Sequence, residues 1–217
     1  MKNIIITILF GFLLTNCSKD DNYTEEECIN SVFYYYSNEK IYLNNFNKSY
    51  LVIGFNQQTD DLIIINFINN LNGFENITNE DILTSNNEYK FTFAKFKVEK
   101  SCIEIDSEID NLNTKDIVVY ANRTYNTDYF GIIGNYDLMY TTDQFIVKLK
   151  ENTSKSQLDN LISKTQNVSI IKEDEFVKNQ FLISNTSKVK STIEISNIFY
   201  EKKIFEFSEP NFGYVKF

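Results

Sequence analysis

The stretch DQFIVKLKENTSKSQLDNLISKTQNVSIIKEDEFVKNQFLISNTSKVKSTIEISNIFYEKKIFEFSEP, residues 143–210, decides the fold. Phe145, Val147 and Leu149 recur every second residue, with Lys148 and Lys150 between and after them, which predicts a strand with one buried face. Ser154 and Gln157 have capping-box spacing, and Leu158, Leu161 and Ile162 behind them fall on one helical stripe. Val168–Ile171 is too short an apolar run for a helix and predicts a strand. The charged segment Lys172–Glu175 reads as a turn, and Val177–Ser184, with Phe181 and Ile183 on one face, as the next strand. A second capping box, Ser191 with Glu194, precedes Ile195, Ile198 and Phe199 at helical spacing. Ile204–Ser208 alternates Phe205 and Phe207 around Glu206. Pro210, which has no N–H to give a ladder, is expected to end that last strand.

The order is β-α-β-β-α-β. Each helix has one apolar stripe, so both are expected to cover one face of a four-stranded antiparallel sheet, a ferredoxin-like α+β arrangement. Upstream, an echo is offset by about 90 residues, which reads as a duplication rather than a solenoid. Leu51, Ile53 and Phe55 alternate; Ile64, Phe67, Ile68 and Leu71 form a stripe after Thr59-Asp60; Phe91 and Phe93 mark a strand. Cys102, Ile105, Ile109 and Leu112 form a second stripe, and Ile117–Tyr120 closes the set. The reading is two tandem ferredoxin-like units joined by Tyr129–Tyr140; coincidence in a chain rich in Ile and Phe is the alternative. Val32–Tyr36 and Lys40–Leu43, around Ser37-Asn38-Glu39, read as a leading hairpin.

The chain starts with Met1-Lys2, an apolar run over Ile4–Leu14, then Leu14-Thr15-Asn16-Cys17. The run is too short to span a bilayer as a helix and suits a signal peptide. Cys17 resembles the acylated cysteine of a bacterial lipobox, although Asn16 stands where Gly, Ala or Ser is usual. The alternative is an ordinary secretory signal with an incidental cysteine. Ser18-Lys19-Asp20-Asp21-Asn22 resembles the acidic tether of surface-displayed lipoproteins of the Bacteroidetes; a plain linker is the other reading. The expected organisation is signal peptide 1–16, flexible tether 17–30, an N-terminal unit 31–140 and a C-terminal unit 141–217. With Cys17 acylated, Cys28 and Cys102 remain, either paired outside the cytoplasm or as two free thiols.

The chain has 21 basic and 30 acidic residues, and loss of residues 1–16 removes Lys2 alone, leaving a net charge of −10. With no basic cluster, nucleic-acid binding through phosphate neutralisation is not expected. There is no histidine, so the Ser-His-Asp and Cys-His arrangements and the commonest metal ligand are excluded. The six glycines are scattered and form no phosphate loop. Asp60-Asp61 and Glu173-Asp174-Glu175 read as a helix start and a solvated turn rather than an acid–base pair. No enzymatic activity, cofactor or metal is expected.

Three segments carry a family resemblance: residues 143–150 (DQFIVKLK), 193–201 (IEISNIFYE) and 204–212 (IFEFSEPNF). They resemble the N-terminal pro-region of Bacteroidetes subtilisin-like serine proteases, as does the Tyr-rich hairpin ending in Glu39-Lys40-Ile41-Tyr42-Leu43. Lys202-Lys203 departs from it, since relatives often carry a helix-ending glycine there, so this helix is expected to end differently, without a left-handed cap. The resemblance implies a freestanding inhibitor or folding chaperone acting in trans, with an extended tail, Gly213, Tyr214, Val215, Lys216 and Phe217, lying in the protease cleft and Tyr214 or Phe217 in its specificity pocket. The alternatives are a surface lipoprotein whose Tyr34–Tyr36 bind a partner or glycan, or a protease remnant without activity. The expected location is the outer membrane, through the acyl anchor.

Overall fold

The computed structural model describes residues 24–85, 89–127 and 136–217. The signal-peptide and Cys17 expectations fall outside them. The described chain is α+β, with five α-helices and a mainly antiparallel sheet. Helix α1 (Glu25–Asn30) leads into a hairpin of β1 (Phe33–Tyr36) and β2 (Glu39–Tyr42). Its two turn residues, Ser37 (φ 48°) and Asn38 (φ 68°), both take the left-handed conformation that matches strand twist in a two-residue hairpin. Then follow β3 (Phe46–Asn56), α2 (Asp61–Asn69), β4 (Leu83–Ser85), β5 (Tyr89–Lys95), α3 (Cys102–Asn113) and β6 (Val118–Asn126). The second half holds β7 (Leu138–Leu149), α4 (Lys155–Lys164), β8 (Val168–Glu173), β9 (Gln180–Asn185), α5 (Thr192–Glu201) and β10 (Phe205–Val215).

Eight strands form one sheet in the order β4-β5-β3-β6-β7-β9-β8, with β10 paired to β7. The two halves repeat one wiring. In β3–β6 and again in β7–β10 the first strand lies between the third and the fourth, and the second is outermost. Long β7 joins them: β6 pairs with its start (Thr124↔Tyr140), β9 with its end (Phe145↔Ile183) and β10 along its length.

Alternation decides what each face buries. Leu51, Ile53 and Phe55 turn toward the helices and pack with Ile64, Ile68, Ile105 and Leu112. Phe145, Val147 and Leu149 meet Leu158 of α4 and Ile195 and Phe199 of α5. Phe91 and Phe93 turn the other way, into an aromatic layer with Val52, Tyr89, Tyr120 and Tyr140. Gly54 makes that layer possible: a Cβ there would lie 2.1 Å from a Tyr120 ring carbon.

Four expectations are corrected. The tether does not reach residue 30, because residues 25–30 are helical and fully bury Cys28. Thr24 and Glu27 cap this helix reciprocally, and its acidic first turn suits the positive end of the helix dipole. Pro210 does not end the last strand. It sits within β10, opposite Phe145 and beside a register irregularity, in a strand whose only described partner is β7. Both features free it from donating to a ladder. The joining segment does not extend to Tyr140, since Leu138–Tyr140 are already β7, and residues 129–135 of it lie outside the described chain. Finally, α5 ends on a left-handed residue despite lacking a glycine, with Lys203 at φ 60°.

Candidate functional site

Cys28 and Cys102 are joined in a disulfide, with Cα atoms 5.9 Å apart, which ties α1 to the first turn of α3. Both sulfurs are fully buried. Arg123 on β6 reaches the same spot. Its Nε donates to Asp106 Oδ1 at 2.7 Å, and Nη2 to Asp106 Oδ2 at 2.5 Å and to Cys28 Sγ at 3.2 Å. Cys28, Cys102 and Asp106 converge as metal ligands would. With the sulfurs bonded to each other and the carboxylate held by a guanidinium, however, the group offers no thiolate.

The tail over Gly213–Phe217 is not free. Gly213, Tyr214 and Val215 pair with Tyr140, Met139 and Leu138. A Cβ on Gly213 would fall 2.3 Å from Tyr140 Cζ, so the glycine is there to seat a ring. Phe217, though 64% exposed, stacks on Tyr50 at 5.2 Å and meets Phe93 edge-on at 5.5 Å. Its N–H donates to Asp137 at 2.7 Å. The start of β7 offers backbone groups and the aromatic layer offers rings, and the chain's own end takes both.

The hairpin tyrosines are also largely engaged. Tyr35 stacks on Tyr200 of α5 at 4.3 Å, and Tyr34 meets Phe212 at 5.0 Å. Asn197 Nδ2 donates to the Phe33 carbonyl at 2.8 Å, and Tyr200 Oη donates to Asn38 Oδ1 at 2.6 Å. The hairpin is a clasp on α5. Only Tyr36 remains largely exposed on β1.

The acidic pairs are structural. Asp60 Oδ1 accepts from the Leu62 N–H and caps α2. Asp174 accepts from the Phe176 and Val177 N–H groups, which hold its carboxyl below the usual range. Burial pushes the phenols of Tyr125 and Tyr140 up to about 12, far from any acid–base role near neutral pH.

Two surfaces next to the C-terminal half stand out among the described residues. A cleft of about 660 Å³ opens where β6 and β7 diverge, between α3, β6 and the β9–α5 connection. Its β6 wall is sealed against strand addition. Asn113 grips Ala121 through both backbone groups (2.9 and 3.3 Å), and Lys188 Nζ donates to the Val118 and Val119 carbonyls. The second is the sheet face of the C-terminal half that turns away from α4 and α5. Ile146 and Leu182 lie directly opposite each other at its centre, both partly exposed. Glu209 pairs beside Ile146, Phe207 beside Lys148, and Lys148 forms an ion pair with Glu206 at 2.6 Å. Glu209 is half-buried, and burial pushes its carboxyl up.

No protein-family model, curated protein or solved structure matches this chain. The surfaces therefore have to be read from their chemistry. Sequence reasoning passed over Arg123, whose signal was faint: the chain's single arginine, in a strand with no other charged residue, which must be paired if buried. The open face was implicit in the residues between the core positions of β7 and β9.

Proposed function

We propose that the chain is a non-enzymatic bacterial lipoprotein, anchored through Cys17 to the outer membrane. On this reading it consists of two tandem ferredoxin-like units, and the C-terminal unit engages a subtilisin-like serine protease in trans, as a pro-region does. The repeated strand order β4-β5-β3-β6 and β8-β9-β7-β10 supports the tandem reading. The observation that carries the function is the uncovered face around Ile146 and Leu182. Two partly exposed aliphatic side chains stand at its centre and Lys148, Glu206 and Glu209 at its border, the apolar-centre and polar-rim arrangement of a protein-binding patch. Because the tail belongs to the chain's own sheet, this face does the binding, and the role is that of a folding chaperone or an inhibitor that occludes rather than a peptide lying in the cleft.

The test uses the mature chain and secreted subtilisin-like proteases of the producing cell, read by calorimetry, by inhibition and by refolding of the denatured protease. Tight binding or faster refolding is expected, with Leu182→Glu and Ile146→Lys abolishing either while circular dichroism stays unchanged. Failure to bind or refold any such protease overturns the reading.

A further inference from the structure

We propose that the end of the molecule formed by the 97–101 loop and the first turn of α3 is its lipid-facing surface, resting on the phospholipid headgroups beside the anchor. This rests on the lipid-anchor reading above. Thr24 lies only seven positions after Cys17. At no more than about 3.6 Å per residue, an acylated Cys17 holds Thr24 within about 25 Å of the headgroups.

Thr24 cannot swing away from the folded body, because α1 is fastened to α3 and β6 at several points. The disulfide joins Cys28 to Cys102. The Glu25 carboxylate accepts from the Cys102 N–H at 2.8 Å and the Ile103 N–H at 3.3 Å. Arg123 donates to the Cys28 carbonyl at 3.4 Å. The tether therefore emerges at a fixed place, the start of α3, and brings that place to the membrane.

The surface there suits a headgroup layer. Ile103, 41% exposed, lines a shallow depression with Glu25, Lys48, Glu99 and Lys100, and Val98, 72% exposed, precedes Glu99 in the chain. Lys48, Lys97 and Lys100 stand here beside Glu25, Glu99 and Glu104, with Glu26 and Glu27 on the same turn of α1, so three positive charges meet five negative ones. The carboxylates are occupied: Glu104 caps α3 and pairs with Lys100, and Glu99 accepts from Ser49. The three lysines offset most of the repulsion that anionic lipid exerts on acidic surface over about a Debye length. The lysine stems can lie along Val98 and Ile103 with their ammonium groups at the phosphates.

The chain contains no tryptophan, so a single introduced one reports its own surroundings. The acylated full chain is placed on vesicles of phosphatidylethanolamine with a minority of phosphatidylglycerol, with or without brominated acyl chains. Val98→Trp, or Ile103→Trp should the first misfold, is expected to shift to the blue and lose intensity to bromine. Phe176→Trp, on a 94% exposed position between β8 and β9 at the opposite edge of the sheet, is expected to do neither. If mass analysis of the membrane-extracted chain finds no acyl group on Cys17, the anchor reading fails and this surface with it. If Cys17 is acylated and the two reporters are quenched alike, the orientation alone is overturned.

Discussion

Replacing both bonded cysteines, Cys28→Ser with Cys102→Ser, should cost this protein a large part of its stability. The two are 74 residues apart in sequence, so the bond closes a long loop in the unfolded chain. In the chain-entropy model a loop of that length stabilises the folded state by about 4.5 kcal/mol, comparable to the lower end of a whole domain's stability. Against this, α1 retains two other fastenings, the Glu25 carboxylate on the start of α3 and the Arg123 guanidinium on the Cys28 carbonyl. They act in the folded state, whereas the bond acts mainly on the unfolded one, so they do not replace it. With a urea dependence of about 2 kcal/mol per molar, the unfolding midpoint should fall by about 2 M. The assay is urea unfolding followed by far-ultraviolet circular dichroism, with and without a strong dithiol reductant. Reductant should bring the wild-type chain down to the variant and leave the variant unmoved. Coincident midpoints for the oxidised wild type and the double variant would refute the argument.

Three further outcomes are expected. Gly213→Ala, whose Cβ would lie 2.3 Å from Tyr140 Cζ, should lose about 1–3 kcal/mol in urea unfolding, part of it recovered when Tyr140→Leu is added. Lys203→Gly relieves a side chain held at φ 60° and should gain about 1 kcal/mol, a rise of about 2–4 °C in thermal midpoint; an unchanged or lower midpoint would show that the cap is not strained. Burial raises the Glu209 carboxyl, so its charged form is penalised in the folded chain. That penalty is absent below the ordinary carboxylate range and complete above the raised folded value. Glu209→Gln should therefore be more stable than wild type at neutral pH and lose the advantage as pH falls to about 4, as read by urea midpoints at both.

Where local chemistry decides structure, the sequence was legible. The Ser154–Gln157 and Ser191–Glu194 boxes start α4 and α5 where their spacing predicts, because those hydrogen bonds join residues three apart. The same rule was present at Thr24-x-x-Glu27 but was masked by the company it keeps: three consecutive glutamates look like a solvated tether until one asks which helix end they favour. Lys203 marks the opposite failure, a helix end that keeps its left-handed turn without the residue that makes the turn easy. Least legible was what β7 joins. Its pairing with β6 depends on register between strands that are distant in sequence, and nothing in Leu138–Tyr140 alone distinguishes a connection from the start of a strand.

The docked tail bears directly on how any partner is held. For residues 212–217 to lie in another protein's cleft, four strand pairings with β7 must open and Phe217 must leave Tyr50 and Phe93. If that release costs about 3 kcal/mol, the competent state is populated at less than about 1%, and the apparent affinity falls by the same factor. The gap left over Tyr140 would add to the cost, since the ring loses the strand on which it lies. The face around Ile146 and Leu182 needs no such opening, because the strands that form it are already paired and its apolar centre already faces outward. A partner that meets this face gains contact without undoing any of the protein's own packing, so under the proposed function it is the surface that energetics favours over the tail.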